Sequence, residues 1–264
     1  MYKPFAAILA LLSTAFTITG CTNPYSQYYT DLTGGQNVFE SPKVILPTEK
    51  PKLIYGTNRE IDEKKMLEDG YLPLGFSSFN AGEINQKEAL KHAKKIHAST
   101  VIVYYNYTGT VSGVMPINMP NTQTSYHSGS IYGAGGYANY SGTSTTYGTT
   151  TTYMPYNINR YDFYASFWIK ATPMKLGIIW QDLSEELRQK LGSNKGVYVW
   201  IVVKDSPAFN SDILSGDVLR RVNEQEIIDS NHFQKLLDNA SDPAAEFEIF
   251  RNGETIIKRV QLRN

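Results

Sequence analysis

The side chains able to carry covalent or metal chemistry are few and scattered: one cysteine, Cys21, and four histidines, His92, His97, His127 and His232. A single thiol excludes an intramolecular disulfide and a cysteine-rich metal cluster. His92 and His97 lie five residues apart, about 140° around a helix, so they cannot ligate one metal together. Both are expected at the surface or its boundary. Acyl-transfer chemistry needs a serine and a carboxylate held around an imidazole. No Gly-x-Ser-x-Gly or Gly-Asn-Ser-Gly context occurs; His127 lies inside the low-complexity stretch and His232 on the expected helix, neither of them a setting for a triad. Catalysis is therefore not expected. Gly133-Ala134-Gly135-Gly136 lacks the Lys-Ser/Thr and the strand-to-helix setting of a phosphate loop. No metal and no cofactor are expected.

The elements that surround these residues must supply the function instead. Lys plus Arg number 25 and Asp plus Glu 25, so bulk charge gives no reason to expect nucleic acid or an acidic membrane as partner. The length, 264 residues, suits two small domains with linkers. At the N-terminus, Lys3 precedes an apolar run from Phe5 to Ile18 that is short for a membrane span, and small residues follow. Ile18-Thr19-Gly20-Cys21 resembles the lipobox of bacterial lipoproteins. That resemblance implies cleavage before Cys21, its acylation, and, with Thr22 rather than an aspartate next, an outer-membrane destination on either face. The alternative is an ordinary secretory peptide with a stray thiol. Acyl chains contribute about 0.8 kcal/mol per buried CH₂, enough in combination to hold a protein on a bilayer without a spanning helix.

Residues 21–51 are rich in Tyr, Gly, Pro, Asn and Thr with no sustained period, and are read as a tether. A strand is expected at Lys52-Leu53-Ile54-Tyr55, then a helix capped by Asn58 and stopped by Gly70. Tyr71 to Phe79 is extended, with Pro73 arguing for an edge or irregular strand. A second helix begins near Asn85 with Glu88 three residues on, and presents Ala89, Leu90, Ala93 and Ile96 as its apolar face. Ser99 to Tyr107 and Arg160 to Lys170 read as strands that could pair antiparallel. Between them, from Lys95 to Arg160, there is no Asp, Glu, Lys or Arg, and Asn121 to Tyr153 is almost entirely Ser, Thr, Gly, Tyr, Asn and Ala. Ordering costs about 1 to 2 kcal/mol per residue, and this composition has little apolar surface to offset it, so a mobile loop is expected. It is either a low-complexity insertion without a ligand or a contact surface for glycan, peptidoglycan or a neighbouring protein.

The last third opens with Lys175-Leu176-Gly177-Ile178. It continues through Gly196-Val197-Tyr198-Val199, Ser206-Pro207-Ala208 and Gly216-Asp217-Val218-Leu219, and closes on Phe250-Arg251-Asn252-Gly253-Glu254. This ordered set resembles PDZ domains, in the arrangement of bacterial periplasmic HtrA-type proteases, without the protease domain. The resemblance implies that Leu176, Gly177, Ile178, Ile179 and Trp180 receive a ligand carboxylate and an extended peptide. A helix from Ser230 to Asn239 would wall the groove, with Ser230 and Gln234 on its groove side. Ile178, Phe233 and Leu237 are candidates for an apolar pocket; for Phe233 and Leu237 plain core is the other reading. Two pieces depart from the family: Phe209-Asn210-Ser211-Asp212 replaces a glycine after Pro-Ala, and Asn223-Glu224 replaces Asn-Gly. Positive φ at non-glycine residues costs about 1 to 2 kcal/mol, so those turns are expected to take other shapes. Asn252-Gly253 suits a type I′ hairpin.

The expected architecture is α+β: a signal segment at 1–20, a tether at 21–51, and a small α/β domain at 52–171 with a low-complexity insertion at about 111–159. A PDZ domain follows at 172–264, a partly open β-barrel with two helices. The function expected is that of a lipid-anchored envelope adaptor or scaffold with a protein or peptide ligand and no nucleic acid. The alternative is a structural or adhesive surface lipoprotein binding through its polar loop.

Overall fold

The structure, a computed structural model, describes residues 22–240 and 242–263. The signal segment and the lipidation expected at Cys21 lie outside the described residues. The contacts divide the chain into two compact units, one of which comprises Asn80–Ile84 and Tyr105–Phe163.

In the other unit the chain begins with α1 (Pro24–Gln27), capped by Asn23, whose side chain accepts from Tyr25 N at 2.9 Å. Then come β1 (Tyr29–Asp31), β2 (Val44–Ile45), β3 (Lys52–Tyr55), α2 (Arg59–Glu68), β4 (Tyr71–Ala81), α3 (Lys87–Lys95), β5 (Thr100–Gly133) and β6 (Gly136–Ala171). The sheet order is β1-β4-β6-β5-β3, with β2 also on β6. β3 and β5 run parallel, Lys52 opposite Thr100, across the α2 and α3 connections. Met66 of α2 packs with Ile102 and Trp168. His92 of α3 meets Phe167, the neighbour of Trp168. Successive strand residues point to opposite faces, so the two helices cover opposite faces of the sheet.

Three expectations for this unit are corrected. Residues 22–51 are not a free tether: β1 pairs with Gly75–Ser77, β2 pairs with Lys170–Ala171, and Tyr25 is fully buried, 5.0 Å from the ring of Phe79. A few aromatic anchors suffice for this, and they leave no period to read. β4 is not an edge; it lies between β1 and β6. His92 is not at the surface: it is buried between the rings of Tyr29 (4.7 Å) and Phe167 (5.0 Å), with no hydrogen bond to either ring nitrogen. The small Ala89 and Ala93 beside it leave room for an imidazole on the buried face. Burial pushes its pKa down to about 4, with the nearby Lys95 charge acting in the same direction.

The second unit is not a mobile loop. β5 continues to Gly133, turns at Ala134-Gly135, and returns as β6. Side chains bond across it at Ser112–Asn157 (2.6 Å), Asn118–Thr151 (2.7 Å) and Ser130–Asn139 (2.6 Å), which fixes an antiparallel ribbon. Composition argued against order because it lacks core-forming residues. A ribbon needs no core to satisfy its backbone, and Thr, Tyr and Ile favour the pleated conformation.

The C-terminal strands form a separate sheet. In order they are β7 (Ile178–Asp182), β8 (Val197–Val202), β9 (Val218–Val222), β10 (Gln225–Glu226), β11 (Ala244–Arg251) and β12 (Glu254–Gln261). The helices are α4 (Glu185–Leu191), α5 (Pro207–Asn210) and α6 (Ser230–Asn239). The order β12-β11-β9-β8-β7, with β10 on β9, leaves β7 and β12 as edges, so the barrel is not closed. Ile178, Val199, Phe233, Phe247 and Ile249 sit in its buried core. Asn252 (φ 52°) and Gly253 (φ 94°) make the expected tight hairpin between Arg251 and Glu254.

The other turns depart from expectation. Asn223 (φ 46°), Glu224 (φ 65°) and Asp212 (φ 55°) all adopt the left-handed conformation. Asn223 is held there by Glu246, whose N–H donates to its side chain at 2.8 Å and whose carbonyl accepts from its N–H at 2.9 Å. Glu224 has no such compensation, so Glu224→Gly is expected to raise stability by about 1 kcal/mol in urea unfolding.

Candidate functional site

The candidate groove lies along β7, whose only partner among the described strands is β8. A bulge between Ile179 and Trp180 shifts that pairing. α6 packs on β7, and Trp180 meets Phe233 edge-on, ring centroids 4.9 Å apart. Asp229 caps α6, accepting from His232 N at 2.7 Å. Asp182, at the far end of β7, accepts from both Ser230 N (3.0 Å) and Ser230 Oγ (2.6 Å), fastening helix to strand. Those two bonds hold the Asp182 carboxyl below its ordinary pKa.

At the near end, the loop 175–177 is fixed from several sides. Lys175 Nζ donates to Ala240 O at the end of α6 (2.6 Å), and Lys175 O accepts from Arg263 N (2.9 Å). Leu176 O accepts from Ala208 N (2.9 Å), and Gly177 O from Val203 N (2.9 Å) and Ser206 Oγ (3.2 Å). Gly177 has φ +82°, and a Cβ there would stand 2.1 Å from Ser206 Cβ, so only glycine fits. The carbonyls of this loop are thus engaged, while Leu176 N–H and Gly177 N–H have no acceptor among the described residues. Amides converging at such a bend are suited to an anion such as a carboxylate.

Ile178, Phe233 and Leu237 come together in one buried cluster of the C-terminal core. Ile179 and Trp180 are part-exposed along β7. Gln234 is exposed and donates to Asp238 (2.8 Å). Asp182 and Lys204 carry no signal of their support in the sequence, and Lys175 and Ser206 are visible there only as parts of motifs. Lys204 extends the loop's attachments beyond the C-terminal sheet: its N–H donates to Glu68 O (2.8 Å) and its Nζ pairs with Asp69 (2.6 Å). The bond to Asp69 raises the Lys204 pKa. Lys170 Nζ also donates to Asp69 O.

A C-terminal open sheet with a glycine-bent loop, a free edge strand and a facing helix defines a PDZ domain, and residues 175–262 match the family described as PDZ domain. The chain is similar to a probable periplasmic serine endoprotease DegP-like from Pseudomonas savastanoi pv. phaseolicola (strain 1448A / Race 6), 34% identical over 82 residues. That match covers 30% of this chain and 17% of the relative, so the chain spans about a sixth of that protein's length. Among solved structures, a crystal structure of the HtrA3 PDZ domain bound to a phage-derived ligand (FGRWV) is 22% identical. It covers 33% of this chain and 83% of that one, with a TM-score of 0.30. The HtrA-type protease AlgWS227A with decapeptide is 22% identical over 38% of this chain and 37% of that one, with a TM-score of 0.32.

Proposed function

We propose that this chain is a lipid-anchored adaptor or scaffold of the cell envelope, without catalytic activity, whose PDZ domain takes protein C-termini or extended peptide segments. One observation carries the reading: two loop amides without an acceptor stand at the head of an unpaired strand edge that a helix faces. A terminal carboxylate would satisfy Leu176 N–H and Gly177 N–H, and the peptide behind it would add as a strand to Ile178–Asp182. Anchoring rests on the resemblance of Ile18-Thr19-Gly20-Cys21 to a lipobox, and the outer membrane on Thr22. The absence of catalysis is supported by the surroundings of His127. A serine does lie beside it, Ser144 Oγ at 3.3 Å, but both are exposed, and no Asp or Glu occurs between Lys95 and Arg160 to orient the ring.

Fluorescence anisotropy on the full-length protein in detergent micelles tests the reading, with labelled FGRWV and a pool of random pentapeptides as probes. At least one free-carboxylate peptide is expected to bind with Kd on the order of micromolar, about −8 kcal/mol. Amidating its C-terminus is expected to weaken it about tenfold or more, the loss of a charge-assisted pair. Absence of binding by every peptide up to about 1 mM would end the proposal.

A second reading, a structural or adhesive surface lipoprotein binding through 111–159, is favoured by the order of the uncharged ribbon there. Deleting 121–153 separates the two: partner capture lost with peptide binding intact supports the second.

A further inference from the structure

Between Thr110 and Asn159 the two faces of the ribbon differ in how densely apolar side chains stand on them. Alternate residues of a strand point to opposite sides. The side-chain bonds Thr110–Asn159 (2.7 Å), Ser112–Asn157 (2.6 Å) and Asn118–Thr151 (2.7 Å) mark one alternate set as the more polar face, where bonded polar pairs are interspersed with Val114, Tyr153 and three prolines. The opposite face carries Val111, Met115 and Met119 from β5 and Met154, Tyr156 and Ile158 from β6. Each of these six is between 40% and 53% exposed. Tyr156 lies over Gly113, where a Cβ would come within 2.6 Å of its hydroxyl. Proteins ordinarily blunt such exposed strands with charge, yet none stands between Lys95 and Arg160.

The prolines narrow what could cover this face. In a two-stranded ribbon alternate residues aim their N–H outward. Pro116 and Pro120 on β5 and Pro155 on β6 all belong to the polar-face set, so both outer edges lack donors at these positions. Addition of further strands along those edges is opposed. So is closure into a lipid-spanning barrel, which must pair every edge group. The apolar face itself remains open to packing.

We propose that this face is an interface with a second copy of the chain, apolar face against apolar face. A charge-free surface meets its own copy without like-charge repulsion, and a two-fold pairing sets the same Val, Met, Tyr and Ile row against itself. Six half-exposed side chains offer on the order of 500 Å² per copy and 1,000 Å² for the pair, the lower bound of a specific interface. The association is accordingly weak, with Kd on the order of micromolar. It is independent of the peptide groove.

Photo-cross-linking of the full-length protein in intact cells tests this. Benzoylphenylalanine replaces Met115 on the apolar face or, as control, Ser112 on the polar face. Irradiation is expected to give an adduct of twice the chain mass from position 115, at least tenfold weaker from position 112. Met154→Glu is expected to reduce the 115 adduct at least tenfold, and Met154→Leu to keep it. An unchanged thermal transition of the Met154→Glu protein would show that the loss is not misfolding; if that protein fails to fold, Met119→Glu replaces it. Equal adducts from both positions, an adduct with a foreign protein, transfer into lipid alone, or no adduct would each overturn the proposal.

Discussion

Asp217→Ala is expected to lower the stability of the PDZ domain by about 3 to 5 kcal/mol, the loss that follows when one partner of a buried pair is removed. The Asp217 side chain is 2% exposed and meets Arg251 through both carboxylate oxygens, Nε–Oδ1 at 2.6 Å and Nη2–Oδ2 at 2.7 Å. Asp217 Oδ2 also accepts from Leu214 N (2.8 Å), and Arg251 Nη2 donates to Asp212 O (2.7 Å). The alanine leaves a part-buried guanidinium without its carboxylate and strips an acceptor from the turn before β9. Adding Arg251→Met to Asp217→Ala is expected to recover part of the loss, because the unpaired charge is what makes the single change costly. Urea unfolding of both variants measures this. A loss below about 1 kcal/mol for Asp217→Ala would mean that the pair behaves as an ordinary surface bridge.

The second large effect is the acid sensitivity of the sheet that α2 and α3 cover. In the unfolded chain His92 takes up a proton near pH 6.5, and in the folded protein only near pH 4. Between those values the unfolded state binds more protons, so stability is complete above about pH 6.5 and falls as the pH drops toward 4. The loss is on the order of 3 kcal/mol. His92→Leu removes both the titration and two buried ring nitrogens without hydrogen bonds, so it is expected to flatten the stability profile over this range. Thermal unfolding at closely spaced pH values decides it; an unchanged slope in the leucine variant would place the acid sensitivity elsewhere.

Sequence made some of this legible and hid the rest for identifiable reasons. Gly177 was readable as a site residue because its demand is local: a positive φ and the close approach of Ser206 admit no side chain. Asn58 and Asn252-Gly253 were likewise readable from chemistry within four residues. Asp217 was visible only as part of a motif, since its partner stands 34 residues away and nothing local announces it. Lys204 bridges 135 residues to Asp69, and its purpose emerges only when the two are folded together. His92 looked like a surface residue because a short polar-rich helix gave no sign that Tyr29, from a segment without period, would close over it. The ribbon is hard to read for the opposite reason: a composition without core-forming residues resembles one without order. Its apolar and polar faces alternate residue by residue, a pattern hidden among so many threonines and serines.

The attachment of the 175–177 loop also has a mechanical meaning. Gly177 O is bonded to Val203 N, and the next residue, Lys204, is bonded through backbone and side chain to the end of α2. A force applied at that loop is therefore carried through two consecutive residues into the N-terminal sheet. The covalent connection through Thr172-Pro173-Met174 need not bear it alone. Transplanted to another scaffold, the C-terminal module would keep its groove and lose this second load path.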